Sequence, residues 1–95
     1  MTRSIIDDRK RCFVCKTTKG LHLHHVFFGK NRKKADKDGL MVYLCYDHHE
    51  GTNGVHGKYG HQLDEVLKII AEKRWLEYYD KDVNEFIKKY GKNYL

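Results

Sequence analysis

Ninety-five residues without a proline fit one small domain and exclude a multidomain enzyme or a repeat array. The composition is 40% hydrophobic and 34% charged, and no apolar run is long enough to span a bilayer, so no membrane partner is expected. The net charge of +6 is uneven: residues 1–34 carry +8, residues 35–61 carry −2, and the rest balance. Such an asymmetric field attracts polyanions, although a basic surface also serves solubility.

The segment Met1 to Arg11 is charged, with only the pair Ile5-Ile6 as a short apolar run. It lacks the apolar stretch of a secretory signal, so a cytoplasmic location is expected. Residues 12 to 20 read as a knuckle: Cys12-Phe13-Val14-Cys15 is followed by a turn at Thr17-Thr18-Lys19-Gly20. From Leu21 to Phe27 apolar and polar residues alternate as far as His25, which predicts a strand. Its partner is Leu40-Met41-Val42-Tyr43-Leu44, and the stretch Gly29 to Gly39 between them reads as a basic loop at the tip of a hairpin. Tyr46 to Glu50 then begins a short helix, with Asp47 favourable near its N-terminus.

Two amphipathic helices are expected downstream. Leu63, Val66, Leu67, Ile70 and Ala71 fall at helical spacing, and Val83, Phe86, Ile87 and Tyr90 repeat it, with Gly91 as a stop and a break near Tyr79 to Lys81. The aromatics Trp75, Tyr78 and Tyr79 suit a core or a homodimer face better than base stacking. The fold class expected is therefore α+β in one domain: a metal-stabilised hairpin and helix over about residues 12–60, then a helical part over about 61–91.

Three cysteines and seven histidines are the unusual counts. An odd cysteine number without a secretory signal argues for thiolate metal ligation in a reducing compartment rather than a disulfide framework. Cys12-x2-Cys15 and Cys45-x2-His48 form two pairs at i, i+3, and each can grip one side of a tetrahedral ion. Thiolates with one imidazole select zinc, and four protein ligands leave no open coordination position, so this Zn2+ is expected to be structural. His24 and His25 are adjacent at a strand end, where successive side chains face opposite ways, so one can ligate while the other does chemistry. His49 follows the last zinc ligand directly, which makes a second divalent site between hairpin and helix plausible.

Three stretches, Cys12-Phe-Val-Cys15, Leu23-His24-His25-Val26 and Leu44-Cys45-Tyr-Asp-His48-His49, resemble the HNH nuclease family over roughly residues 12 to 56. The likeness is to its small phage-encoded members, and it places the chain in a host cytoplasm. It implies a ββα-metal motif, a hairpin and helix around one catalytic divalent ion. By that resemblance His24 and His49 ligate the ion, His56 is the candidate further ligand, and His25 is the general base. The family's middle asparagine, which orients the base, has no counterpart at Asp38-Gly39-Leu40. Asn31 or a backbone carbonyl is a candidate for that role, and neither is singled out by the sequence.

The implied activity is metal-dependent hydrolysis of DNA phosphodiester bonds to 5′-phosphate and 3′-hydroxyl ends. His25 takes the proton from water, and activity is expected to rise as pH passes through about 6 to 7.5. The imidazole-rich site should accept Mn2+, Ni2+ or Zn2+ alongside Mg2+, whereas strict Mg2+ dependence would point to a carboxylate such as Asp36 or Asp38. Lys30, Arg32, Lys33 and Lys34 are expected on DNA phosphates, with little sequence preference. His22 and His61 are read as lying outside the site. Two other readings are a zinc-stabilised nucleic-acid-binding module without catalysis, and a protein-interaction domain working through the C-terminal helices. A monomer would nick DNA, and a homodimer could cut both strands.

Overall fold

The computed structural model describes residues 3–95. Seven elements follow in order: β1 (Leu21–His25), a 3-10 turn (Gly29–Asn31), α1 (Arg32–Asp38), β2 (Met41–Cys45), α2 (Tyr46–His49), α3 (His61–Tyr79) and α4 (Val83–Tyr90). The fold is a small α+β arrangement in which β1 and β2 form a two-stranded antiparallel sheet, with Leu21 opposite Cys45, His24 opposite Val42 and His25 opposite Met41. Among the described residues no helix is long and apolar enough to cross a membrane.

One sequence expectation fails. The stretch between the strands is a helix rather than an open loop. Residues 32–38 contain no glycine, Ala35 is fully buried, and Arg32 and Asp36 pair one turn apart. Gly39 ends the helix in the left-handed conformation, φ 83°, with its N–H on the carbonyls of Ala35 and Asp36. A side chain at Gly39 would also meet the Arg3 carbonyl oxygen at 2.5 Å, because the N-terminal segment crosses there and Ile5 N–H bonds to the Gly39 carbonyl.

The sheet is too small to bury a core alone, and α3 and α4 close it. Val26, Phe27, Leu40, Val42 and Leu44 pack with Leu67, Ala71, Trp75, Phe86 and Tyr90. Aromatic rings are central: Phe27 stacks on Tyr90 with centroids 5.3 Å apart, and Trp75 meets Phe86 edge-on at 5.4 Å. The buried stripe of α3 runs Leu67, Ala71, Trp75, so Val66 faces outward, contrary to its place in the sequence pattern. Trp75 is core, Tyr79 packs against it, and Tyr78 is exposed. On α4, Asp82 caps the first turn by accepting from Glu85 N–H, and Gly91 ends the helix at φ 85°. Glu72 is fully buried, with one carboxylate oxygen accepting from Tyr94 N–H at 2.7 Å.

Asp38 fastens the helices to the hairpin. Its Oδ2 accepts from Trp75 Nε1 at 2.8 Å and Tyr90 OH at 2.6 Å, and Lys89 Nζ lies 2.7 Å away. Tyr79 OH donates to the Asp38 carbonyl. Burial pushes the Asp38 carboxyl up, but donation from Lys89, Tyr90 and Trp75 outweighs it and leaves the group below its ordinary value. A carboxylate depressed on folding stabilises above its unfolded pKa, and that contribution disappears as pH falls through the folded value. Asp38→Ala, which strands the buried donors, should lower stability in urea unfolding by about 3 kcal/mol at pH 7. The gap to the unsubstituted protein should narrow as pH falls below about 4; a gap independent of pH would show that Asp38 acts by packing alone.

Candidate metal centre and histidine cleft

The knuckle from Cys12 is laid across β2 by its own backbone. Cys12 N–H bonds to the Thr17 carbonyl at 2.8 Å, Lys16 N–H to the Cys12 carbonyl at 2.9 Å, and Phe13 N–H to the Tyr43 carbonyl at 2.8 Å. Cys45 ends β2, and His48 stands one turn later on α2. The four side chains meet, with one ligand atom from each within 4.8 Å of all the others. Cys15 Sγ and Cys45 Sγ are 3.8 Å apart, and His48 Nδ1 is 3.7 Å from Cys12 Sγ and 3.2 Å from Cys45 Sγ. Tetrahedral zinc with Zn–S near 2.3 Å and Zn–N near 2.0–2.1 Å requires S···S of about 3.8 Å and S···N of about 3.5 Å. Cys12, Cys15, Cys45 and His48 therefore fit a zinc ion, as the two-pair spacing in the sequence implies.

The thiols are electrostatically unequal. Burial raises the Cys12 thiol, but the backbone N–H groups of Cys15, Cys45 and Val14 more than offset it and bring the group to about 6. Cys45 moves the other way, raised by burial and by the neighbouring thiols. A cluster without a cation resists a second thiolate, and a divalent cation removes that resistance.

A second cluster lies beyond α2. His24 is 1% exposed on β1, and its Nε2 has no hydrogen-bond partner among the described residues. Its ring is 5.3 Å from that of His49 and 5.4 Å from that of His56, and the latter two are 4.7 Å apart. The three offer nitrogen atoms within 4.8 Å of one another. Burial, reinforced by His49 and His56, presses His24 down to about 3, and burial with His56 and His22 lowers His49 as well. Three imidazoles this close, one with a buried ring nitrogen that lacks a partner among the described residues, are a donor set that fits a divalent cation.

His56 reaches the cluster because the segment after α2 folds back on it. Val55 N–H bonds to the His48 carbonyl and His56 N–H to the His49 carbonyl, both at 3.0 Å. This tight path needs its glycines: a side chain at Gly57 would lie 1.9 Å from the Gly51 carbonyl oxygen, and one at Gly60 1.5 Å from that of Gly54.

His25 takes different partners. Its Nδ1 is 2.8 Å from Asp36 Oδ1, and its Nε2 is 3.1 Å from Arg32 Nη2. A guanidinium only donates, so the pair of contacts sets the tautomer: Nδ1–H on the carboxylate and the lone pair at Nε2. Asp36 thus makes the orienting contact that the sequence left between Asn31 and a carbonyl. Asn31 instead donates its amide to the Tyr90 carbonyl at 3.1 Å, and Asp38 belongs to the core. The sequence signal for Asp36 was its i, i+4 spacing from Arg32, legible only once residues 32–38 are read as a helix.

The two histidine systems share one cleft of about 240 Å³, lined by Leu23, His24, His25, Phe28, Arg32, His49 and His56. His22, read from the sequence as outside the site, touches it: its Nδ1 is 3.0 Å from His49 Nδ1, and His22, His49 and Glu50 form a further group of close ligand atoms. His61 stays outside, beside Glu65. Of the basic residues, Lys30, Arg32 and Lys33 are exposed, whereas Lys34 donates to the Lys89 carbonyl and lies over the Tyr90 ring.

Compared with protein-family models, with curated proteins and with solved structures, the chain matches none.

The purified protein should retain one zinc per chain. Cys45→Ser should abolish that retention and the cooperative unfolding transition, and cobalt substitution should give the visible bands of a tetrahedral thiolate site. Zinc affinity should fall as pH is lowered, because protons compete with the ion for the thiolates, and the fall should steepen below about 6, where Cys12 of the metal-free cluster takes up its proton. Full zinc content in Cys45→Ser, measured by elemental analysis, would contradict the four-ligand assignment.

Proposed function

We propose that the chain is a metal-dependent DNA endonuclease with an HNH-like ββα-metal site. The observation that carries this reading is the shared cleft. A base with its tautomer set, His25 on Asp36, opens onto the same space as the imidazoles of His24, His49 and His56, with His24 Nε2 buried and without a hydrogen-bond partner among the described residues. A binding module without catalysis has no use for an oriented imidazole lone pair. The interaction-domain reading loses its support because the apolar stripe of the C-terminal helices, Leu67, Trp75, Phe86 and Tyr90, is spent on the core.

In the proposed reaction His25 Nε2 accepts a proton from water, the oxygen attacks phosphorus in line, and the bond to the 3′ oxygen breaks, leaving 5′-phosphate and 3′-hydroxyl ends. Asp36 keeps Nδ1 protonated and stabilises the imidazolium that forms, the role a carboxylate plays behind any histidine base. Arg32 covers Nε2 and is 57% exposed, so an incoming phosphate can draw its guanidinium away and free the lone pair. His24, His49 and His56 would hold the divalent ion, which supplies Lewis-acid stabilisation of the departing 3′ oxygen. His22 would hold His49 from behind through the Nδ1 contact, as a partner on the second ring nitrogen does for a ligating histidine. Exposed Lys30 and Lys33 supply phosphate contacts along the strand.

Plasmid nicking with Mn2+ tests the reading. His25→Ala should lower the rate about 10²- to 10⁴-fold with zinc content and unfolding midpoint unchanged. Asp36→Ala should lower it less, by about 10- to 100-fold, without changing metal affinity. Wild-type protein that leaves supercoiled plasmid intact, or a fully active His25→Ala variant, would overturn the proposal. His22→Ala should weaken Mn2+ binding by about 10- to 100-fold by calorimetry; unaltered affinity would remove His22 from the site.

A further inference from the structure

Phe28 is the aromatic wall of the histidine cleft, and the proposed hydrolysis does not use it. It follows Val26 and Phe27, which are 0% and 2% exposed and anchor the chain in the core, yet Phe28 itself is 55% exposed. Its backbone is extended, and the 3-10 turn leading into α1 begins at the next residue, so its position is tied to both β1 and the Arg32–Asp36 helix. The ring lies 6.5 Å from His56, with the Lys68 ammonium 4.6 Å from its centroid. Lys68 is itself engaged by Asp64 at 2.6 Å. Placed on the wall of the cleft with the imidazoles and the Arg32 guanidinium, the half-open ring offers a flat, polarisable face to a ligand bound there.

We infer that Phe28 stacks on an unpaired nucleobase beside the scissile phosphate, so that the preferred substrate is DNA with a single-stranded or distorted segment at the cleavage point. The inference rests on the endonuclease reading and adds the substrate class. Bases in a duplex have both faces covered by their neighbours, and an aromatic side chain can stack only where one is unstacked. Phosphate contacts by Lys30, Arg32 and Lys33 do not discriminate between strand states; the exposed ring does.

The test measures affinity separately from turnover. In a His25→Ala background, fluorescence anisotropy is recorded with a labelled DNA oligonucleotide as a single strand, as the same strand annealed to its complement, and as an RNA single strand of equal sequence. Phe28→Ala should weaken single-stranded DNA binding by about 5- to 100-fold and duplex binding by less than about twofold, and Phe28→Trp should restore the single-strand affinity. In the His25-intact protein, Phe28→Ala should lower cleavage of a strand with an unpaired bulge more than cleavage of the perfect duplex. Equal loss on single strand and duplex, no loss at all, or loss confined to RNA would overturn the inference while leaving the endonuclease reading standing. Absence of any nucleic-acid binding by the parent protein would overturn both.

Discussion

The Cys45–His48 step is the constraint on which the site depends. Cys45 ends β2 and His48 sits one turn along α2, and both point at the thiols of the knuckle. Because His48 is held there, the next residue, His49, faces the other way, toward His24 on β1 and His56 on the returning glycine-rich segment. A four-residue helix has too few hydrogen bonds to hold its own orientation. A metal ion held by the Cys-Cys-Cys-His cluster would substitute for length, and it would also offset the marginal core of so small a chain.

The division of labour between neighbouring histidines follows from strand geometry. His24 and His25 are consecutive at the end of β1, so the pleat sends one inward and the other toward α1. Burial then makes His24 a neutral ligand-type imidazole, whereas His25 finds a carboxylate on one nitrogen and a displaceable guanidinium on the other. Both still border the same cleft because the strand ends there. Two chemically different imidazoles are thus obtained from one dipeptide, without a long or elaborate scaffold.

Asp38 links this chemistry to the helices. It lies two residues from Asp36 on α1, and its carboxylate is locked by Trp75, Lys89 and Tyr90. Any slippage of α1 would break those buried contacts, so the core holds the turn of helix that carries Arg32 and Asp36. The polar anchor therefore constrains the position of Asp36, the partner of His25, as well as adding stability.

Much of this was legible in the residue order. Ligand pairs at i, i+3 named the Cys-Cys-Cys-His cluster, period-two alternation placed both strands within a residue or two, and period 3.6 between the break near Tyr79 to Lys81 and the stop at Gly91 bounded α4. Such features depend on neighbours a few positions apart, which sequence displays directly. The contacts hidden from it join distant segments: His25 to Asp36 across the hairpin connection, His22 to His49 across β1 and α2, and Asp38 to Trp75, Lys89 and Tyr90 over 37 to 52 residues. Sequence determined which local pieces form and which residue types were available for ligation. Only the tertiary structure decided that Asp36 would face His25 and Asp38 the core, because that choice depends on which side of α1 the aromatic helices cover.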